Sequence, residues 1–444
     1  MLKRTETSSA APHYVVSEEE KAAIAAAISQ DELIRLALEL GNIPSRSGHE
    51  AEAARYVYDW LEKEGFSPRN IAAVEHRPNI VGEYGGKGIG KNLLFTAHLD
   101  TESPDFTPEL DGCKYRPETV SIREWKECWL ENNRLHGFPL TNDRGPMSCF
   151  LIAAKALKKA GIELAGRLYL TACPGEIGPE PIEDKCGIDY LGKDIGAHYL
   201  FHHGHVAPDY AVAAEGTDFG ITWVGSGYTL IRISLYGTTS FTPALDHPPA
   251  GQHPNPIYRA GKVIDALHAW GLDYQQRHRF DSAGGTALPN VQIDSVRAGV
   301  PHTFGAGTEI CNLYLEAGLA PRQQVAPLLR ELEALLHNCG AGEFRVEPLV
   351  VRHGAAADDD AVQPLHQAFA QATEQVCGQA LQIAHPVYSS MWRDHNVFNT
   401  QGIPAVTCGM PRSQPSPDDL LQSAMIYALT ALSICGRATT DNED

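Results

Sequence analysis

Residues 93–101 read LLFTAHLDT: an apolar run of strand length that stops at an imidazole, His98, and a carboxylate, Asp100. A continuous apolar run with polar residues at its end reads as a fully buried strand. In open α/β sheets the carboxyl ends of such strands are where sites gather. The neighbouring segments repeat the pattern. GRLYLTACPGEIG (166–178) is a second apolar strand with a polar end, and DYAVAAEGT (209–217) is a third. Between the first two lies MSCFLIAAKALKKAG (147–161), a helix closed by Gly161. Upstream, DELIRLALELG (31–41) and HEAEAARYVYDWLEKEG (49–65) have helical apolar spacing, and NIVGEYGG reads as strand and turn. Residues 102–140 are irregular, with many Pro, Asp and Glu. Strands that alternate with helices predict an α/β domain: a mixed, mostly parallel sheet flanked by helices, with the site at the strands' carboxyl ends.

The pattern changes near residue 221. ITWVGSGYTLIRISLYGTT reads as strand, PNPIYRAGKVIDALHAWG as helix, TALPNVQIDSVRAG and TEICNLYLEAG as strands, RQQVAPLLRELEALLHNCG as helix and EFRVEPLVV as strand. This order predicts a separate α+β domain over 221–352. From 353 the chain returns to helix, then the strand GIPAVTCG and a closing helix, DDLLQSAMIYALTALSICG. The main domain therefore spans 31–220 and 353–444. The polar residues 1–30 read as a flexible arm without an apolar signal core.

With 444 residues the chain is long enough for two cores. The formal charge of −19 disfavours nucleic acid and anionic membranes as partners. No apolar run approaches the about 18 residues of a membrane helix. The ten cysteines include no C-x-x-C pair and sit in apolar stretches, which points to reduced core thiols in a cytoplasmic protein.

The order of these pieces resembles one family over residues 31–440: the two-domain co-catalytic metallohydrolases. It includes aminoacylases, carboxypeptidase G, succinyl-diaminopimelate desuccinylase and tri- and dipeptidases. The resemblance rests on His98-Leu99-Asp100, on Asn142-Asp143-Arg144-Gly145 opening a helix, on Gly175-Glu176 after a strand, on Asp209 to Glu215, and on Gly402-Ile403-Pro404. It implies that His98 is a metal ligand whose ring Asp100 fixes by hydrogen bonding. It implies that Asp143, or alternatively Asn142, is a ligand, that Glu215 is a ligand, and that the inserted domain is lid and dimerisation surface. A homodimer or higher homo-oligomer is expected on that ground.

The departures are specific. The family has two adjacent glutamates where this chain has one. A gapless alignment makes Glu176 a ligand and puts Gly175 at the base position. Glu176 lies 33 residues after Asp143, and that spacing favours Glu176 as the general base. The family's C-terminal histidine is replaced by Pro415, or by Gln414 in a shifted register. Both private ligands of one ion are thus missing, and the expected cofactor is one divalent transition metal per chain (Mn, Zn or Co). Phe241 stands where the family carries a lid histidine, with His247 and His253 nearby in sequence, and the lid arginine position falls near Ala317. Arg393, Trp392 and His395 are the candidates, with Phe241, for binding a small anionic substrate by charge pairing and stacking.

One metal and one carboxylate base suffice to hydrolyse a carbon–nitrogen bond. The resemblance extends to hydrolytic deamination of an aromatic amine, 5-nitroanthranilate, to 5-nitrosalicylate and ammonia. The altered ligands and missing carboxylate clamp favour that reaction over a dipeptidase or N-acyl-amino-acid amidohydrolase. A metal-free binding protein descended from such an enzyme is the reading of another class. The cluster His202, His203 and His205 reads as polar loop, and Asp358–Asp360 as a solvated turn.

Overall fold

A computed structural model of the protein describes residues 14–101, 122–302 and 305–439. The irregular stretch expected after Thr101 lies outside the described residues as far as residue 121, as does Cys113. The chain divides into two units. One holds residues 1–223, 357–385 and 393–444, and the other holds 224–356 and 386–392. Trp392 therefore belongs to the second unit and Arg393 to the first.

In the first unit seven strands form one sheet: β1 (Arg69–Ile71), β2 (Asn79–Gly85), β3 (Leu93–His98), β4 (Arg167–Cys173), β5 (Tyr210–Ala213), β6 (Ile221–Thr222) and β7 (Ala405–Cys408). Their order is β1-β2-β4-β3-β5-β7-β6. The central ladders β4·β3, β3·β5 and β5·β7 are parallel, and the outer strands run antiparallel. β3 is buried along its whole length, which is why its sequence is continuously apolar rather than alternating.

The longer helices of this unit are α1 (Glu18–Ala27), α2 (Gln30–Gly41), α3 (Ala51–Lys63), α4 (Gly145–Lys159), α5 (Asp359–Cys377) and α6 (Pro417–Cys435). α4 and α6 pack against the sheet and bury nearly all of their surface. Phe150 on α4 stacks on Phe95 of β3 at 5.7 Å, and Tyr427 on α6 tilts against the same ring at 5.1 Å. These contacts hold β3, and with it His98, against two helices on one face of the sheet.

The expected flexible arm over 1–30 is corrected in its described part. α1 is closed by a Ser17–Glu20 capping box, Ile24 is buried in the core, and Glu20 accepts from Tyr14 and pairs with Arg437. The Asp358–Asp360 turn is also more specific than expected. Asp358 caps α5 by accepting from Asp360 N and Ala361 N, and Asp359 accepts from the Trp223 indole at 2.8 Å.

The second unit is a four-stranded antiparallel sheet in the order 291–298, 310–319, 227–236, 343–352. Helices Pro256–Arg277 and Val325–Cys339 cover one face, with Val263, Leu267, Leu328 and Leu332 in its core. No described helix is long and apolar enough to cross a membrane, and the nine described cysteines are free thiols.

Candidate metal centre

Strand register assembles the site. His98 ends β3 opposite Cys173 of β4, and Thr96 lies opposite Ala213 of β5. Two residues beyond Ala213 therefore stand level with His98, and that position is Glu215. Three residues beyond Cys173 comes Glu176. Asp143 arrives from the turn that opens α4, where it and Asn142 leave helical geometry and are joined by a cis peptide. His98, Asp143, Glu176 and Glu215 are all buried.

His98 Nδ1 is 2.7 Å from the Asp100 carbonyl. A carbonyl only accepts, so Nδ1 carries a hydrogen, which leaves Nε2 as the nitrogen whose lone pair is available when the ring is neutral. Nε2 lies 3.0 Å from Asp143 Oδ2 and 3.8 Å from Glu176 Oε2. Asp100 accepts this hydrogen bond with its carbonyl, and its carboxylate Oδ1 is 3.7 Å from Nδ1. That carboxylate is engaged elsewhere. It accepts from Ser47 Oγ at 2.6 Å, Glu176 N at 2.9 Å and Ile177 N at 2.8 Å. Asp100 thus orients His98 through its main chain and clamps the Glu176 turn through its side chain. Asp100→Ala is expected to cost about 3 kcal/mol of stability, because one buried and one part-buried N–H group lose a charged acceptor. Urea denaturation of the metal-free protein measures this, and a loss below about 1 kcal/mol would contradict the clamp.

The chemistry of the orphaned atoms tests the site for a metal. His98 Nε2, Asp143 Oδ2 and Glu215 Oε2 are buried and have no partner in hydrogen-bond geometry. Burial opposes charge on His98, but Asp143, Glu176 and Asp100 outweigh it and raise the imidazole well above its usual range. Burial raises the Glu215 carboxyl well above its usual range, Asp143 and Glu176 add to this, and Arg393 opposes it. The cluster favours added positive charge on both groups. An imidazole with two carboxylates is a donor set for a divalent transition metal, and three protein ligands leave room for a reactant. The set is not fully closed: among the described residues no three His, Cys, Asp or Glu side chains already converge as a metal cluster. Glu215 Oε2 turns instead to Arg393 Nη1, in close contact.

Other expected residues separate. Arg393 is buried beside Glu215, and its Nε and Nη2 lack hydrogen-bond partners. His395 is fully buried, and its Nδ1 is 2.6 Å from Thr407 Oγ1. Burial, with Arg393 adding, pushes its imidazole down to about 3. Its Nε2 is buried without a hydrogen bond. Trp392 and Phe241 belong to the second unit, where Phe241 is 61% exposed. His247 is exposed, His253 stacks on Tyr258 at 3.9 Å, and Ala317 is buried in a strand. Asn142 is only half-buried, whereas Asp143 faces His98. Pro415 is buried, and its carbonyl accepts from Leu135 N at 2.8 Å. His202, His203 and His205 are exposed.

Sequence reasoning missed four supports. Arg144 is buried and donates to the carbonyls of Leu40 and Leu99, tying the end of β3 to α2. Glu50 and Arg77, both fully buried, pair at 2.5 Å behind the site. Asp394 is buried, and burial with the nearby Glu176 charge pushes its carboxyl up. Lys193 places its ammonium 3.6 Å from Glu176 Oε1 and donates to the Glu176 carbonyl. Its one sequence signal is the pair of glycines that brackets it, in Gly192-Lys-Asp-Ile-Gly196. A Cβ at Gly196 would lie 2.3 Å from the Pro174 carbonyl, so only glycine lets this turn press onto the Glu176 segment.

No family model matches the chain. Solved structures share its fold. A tripeptidase from Staphylococcus aureus subsp. aureus Mu50 is 16% identical, with a TM-score of 0.65 over 92% of this chain and 99% of its own. A di-peptidase from Saccharomyces cerevisiae is 12% identical, with a TM-score of 0.66 over 95% of this chain and 100% of its own. The YXEP protein of Bacillus subtilis, described as a dinuclear metal-binding peptidase of the M20 family, is 14% identical, with a TM-score of 0.59 over 92% and 99%. The chain therefore has the two-domain fold of M20-family metallopeptidases.

Proposed function

We propose that the protein is a divalent-metal-dependent hydrolase of a carbon–nitrogen bond. One ion would be held by His98, Asp143 and Glu215, with Glu176 as general base. The observation that carries this reading is a set of three buried donor atoms, His98 Nε2, Asp143 Oδ2 and Glu215 Oε2, that have charged neighbours but no hydrogen bond, with the Glu176 carboxylate beside them. A bound divalent ion supplies Lewis acidity there and lowers the pKa of water from 15.7 toward about 7.

The rest is the work of the chain's own groups. The Asp100 carbonyl fixes the tautomer and direction of His98. The Glu176 carboxylate, held in place through its own backbone N–H by Asp100, takes a proton from the attacking water and passes it to the leaving nitrogen. The Arg393 nitrogens not engaged with Glu215 are donors for an anionic group on the substrate.

Within this class we favour hydrolytic deamination of an anionic aromatic amine, with water replacing the amino group and ammonia leaving. Support comes from the absence of two peptidase-type ligand positions, at Gly175–Glu176 and Pro415. Amide or peptide hydrolysis is the second reading, and its support is the naming of structural neighbours as tripeptidase and di-peptidase. Product identification separates them. Ammonia from 5-nitroanthranilate without amino acid from dipeptides supports the first. Amino-acid release from dipeptides or N-acyl amino acids without ammonia supports the second. Turnover of neither class contradicts the proposal.

A further inference from the structure

Two buried cations stand among the carboxylates of this centre, and each grips one of them. Lys193 reaches Glu176, and Arg393 reaches Glu215. Lysine and arginine are seldom buried unless paired. Here both are almost wholly enclosed with Asp100, Asp143, Glu176, Glu215 and Asp394. One structural neighbour is described as dinuclear. In this chain, two positions that could add donors for a second ion carry none. Gly175 has a φ of +75°, and a Cβ there would meet the Gly192 carbonyl at 2.5 Å, so no side chain fits beside Glu176. Pro415 brings no donor side chain, and its carbonyl is taken by Leu135.

We propose that Lys193 and Arg393 do the electrostatic work of a second metal ion, which leaves the centre with a single ion. The inference rests on the metal-site reading above. The two fixed charges match the formal +2 of a divalent ion. Lys193 is delivered by the glycine-bracketed turn that also closes the space at Gly175, so one local feature both removes a donor position and supplies a cation. Arg393 is delivered where the chain re-enters the first unit, beside the end of β5.

The sign of an affinity change tests this. A unit charge held close to a bound cation weakens its binding, so neutralising either residue should tighten it. A residue that merely props up its carboxylate would act in the opposite direction. Full-length, metal-stripped protein is titrated with Co²⁺, following visible absorption and equilibrium dialysis. The wild type is expected to bind one ion per chain. Lys193→Met and Arg393→Met should each bind it at least about tenfold more tightly, and Lys193→Arg and Arg393→Lys should stay within about threefold of the wild type. Thermal melts establish that each variant folds, and the Lys193 pair carries the test if Arg393→Met does not. Unchanged or weaker binding in a folded neutral variant overturns the proposal, as do two ions in the wild type. No ion in the wild type removes the metal-site reading itself.

Discussion

Glu176→Gln is expected to lower turnover by about a thousandfold while leaving metal uptake within about threefold of the wild type, since it removes a proton acceptor but keeps the side chain's shape. The carboxylate lies 3.8 Å from His98 Nε2, against 3.0 Å for Asp143, so it stands beside the donor set as a second rank. Its backbone N–H is held by Asp100, and that anchor survives the substitution. The variant also decides between the two alignments left open by the single glutamate. If Glu176 were a ligand, metal affinity would fall together with turnover. Steady-state kinetics and a metal titration on the same preparation give the answer.

His98→Ala is expected to have the larger effect on the metal. It removes the sole imidazole of the donor set, and affinity should fall by more than about a hundredfold, the upper range for supporting residues that only orient a ligand. Turnover should fall with it and return in part at high metal concentration, which Glu176→Gln cannot do. The melting temperature offers an independent readout. Metal raises the stability of a protein that binds it by RT ln(1 + [L]/Kd), so the wild type should gain and the variant should not. The metal-free variant should melt below the metal-free wild type, because the ring loses its Nδ1 bond to the Asp100 carbonyl and its Nε2 contact with Asp143.

The strand that carries His98 was legible in the sequence. A continuous apolar run ending at His98 reads as a buried strand with polar groups at its carboxyl edge, whereas Glu215 is named only through the family resemblance. Asp143 is named through the same resemblance, with Asn142 as the alternative, and the structure turns Asp143 toward His98. The supports were not legible, because each depends on backbone geometry that spacing does not encode. Asp100 holds His98 through its carbonyl rather than its carboxylate. Lys193 lies in a stretch without hydrophobic period, and reaches the site only because glycines at 175, 192 and 196 let two backbones touch. The N-terminal segment was misread because a helix with low amphipathicity looks like a polar arm. Its hold on the core comes from buried Ile24, from Tyr14, Val16, Ala27 and Ile28 packed against the core, and from the Glu20 cluster.

The most direct measurement is metal depletion and return. Protein stripped by chelation is assayed for ammonia release from 5-nitroanthranilate and for amino-acid release from dipeptides, before and after adding Mn²⁺, Zn²⁺ or Co²⁺. The account predicts no carbon–nitrogen hydrolysis in the stripped protein and its return on adding about one ion per chain. Turnover that persists unchanged in protein shown to be free of metal would contradict it.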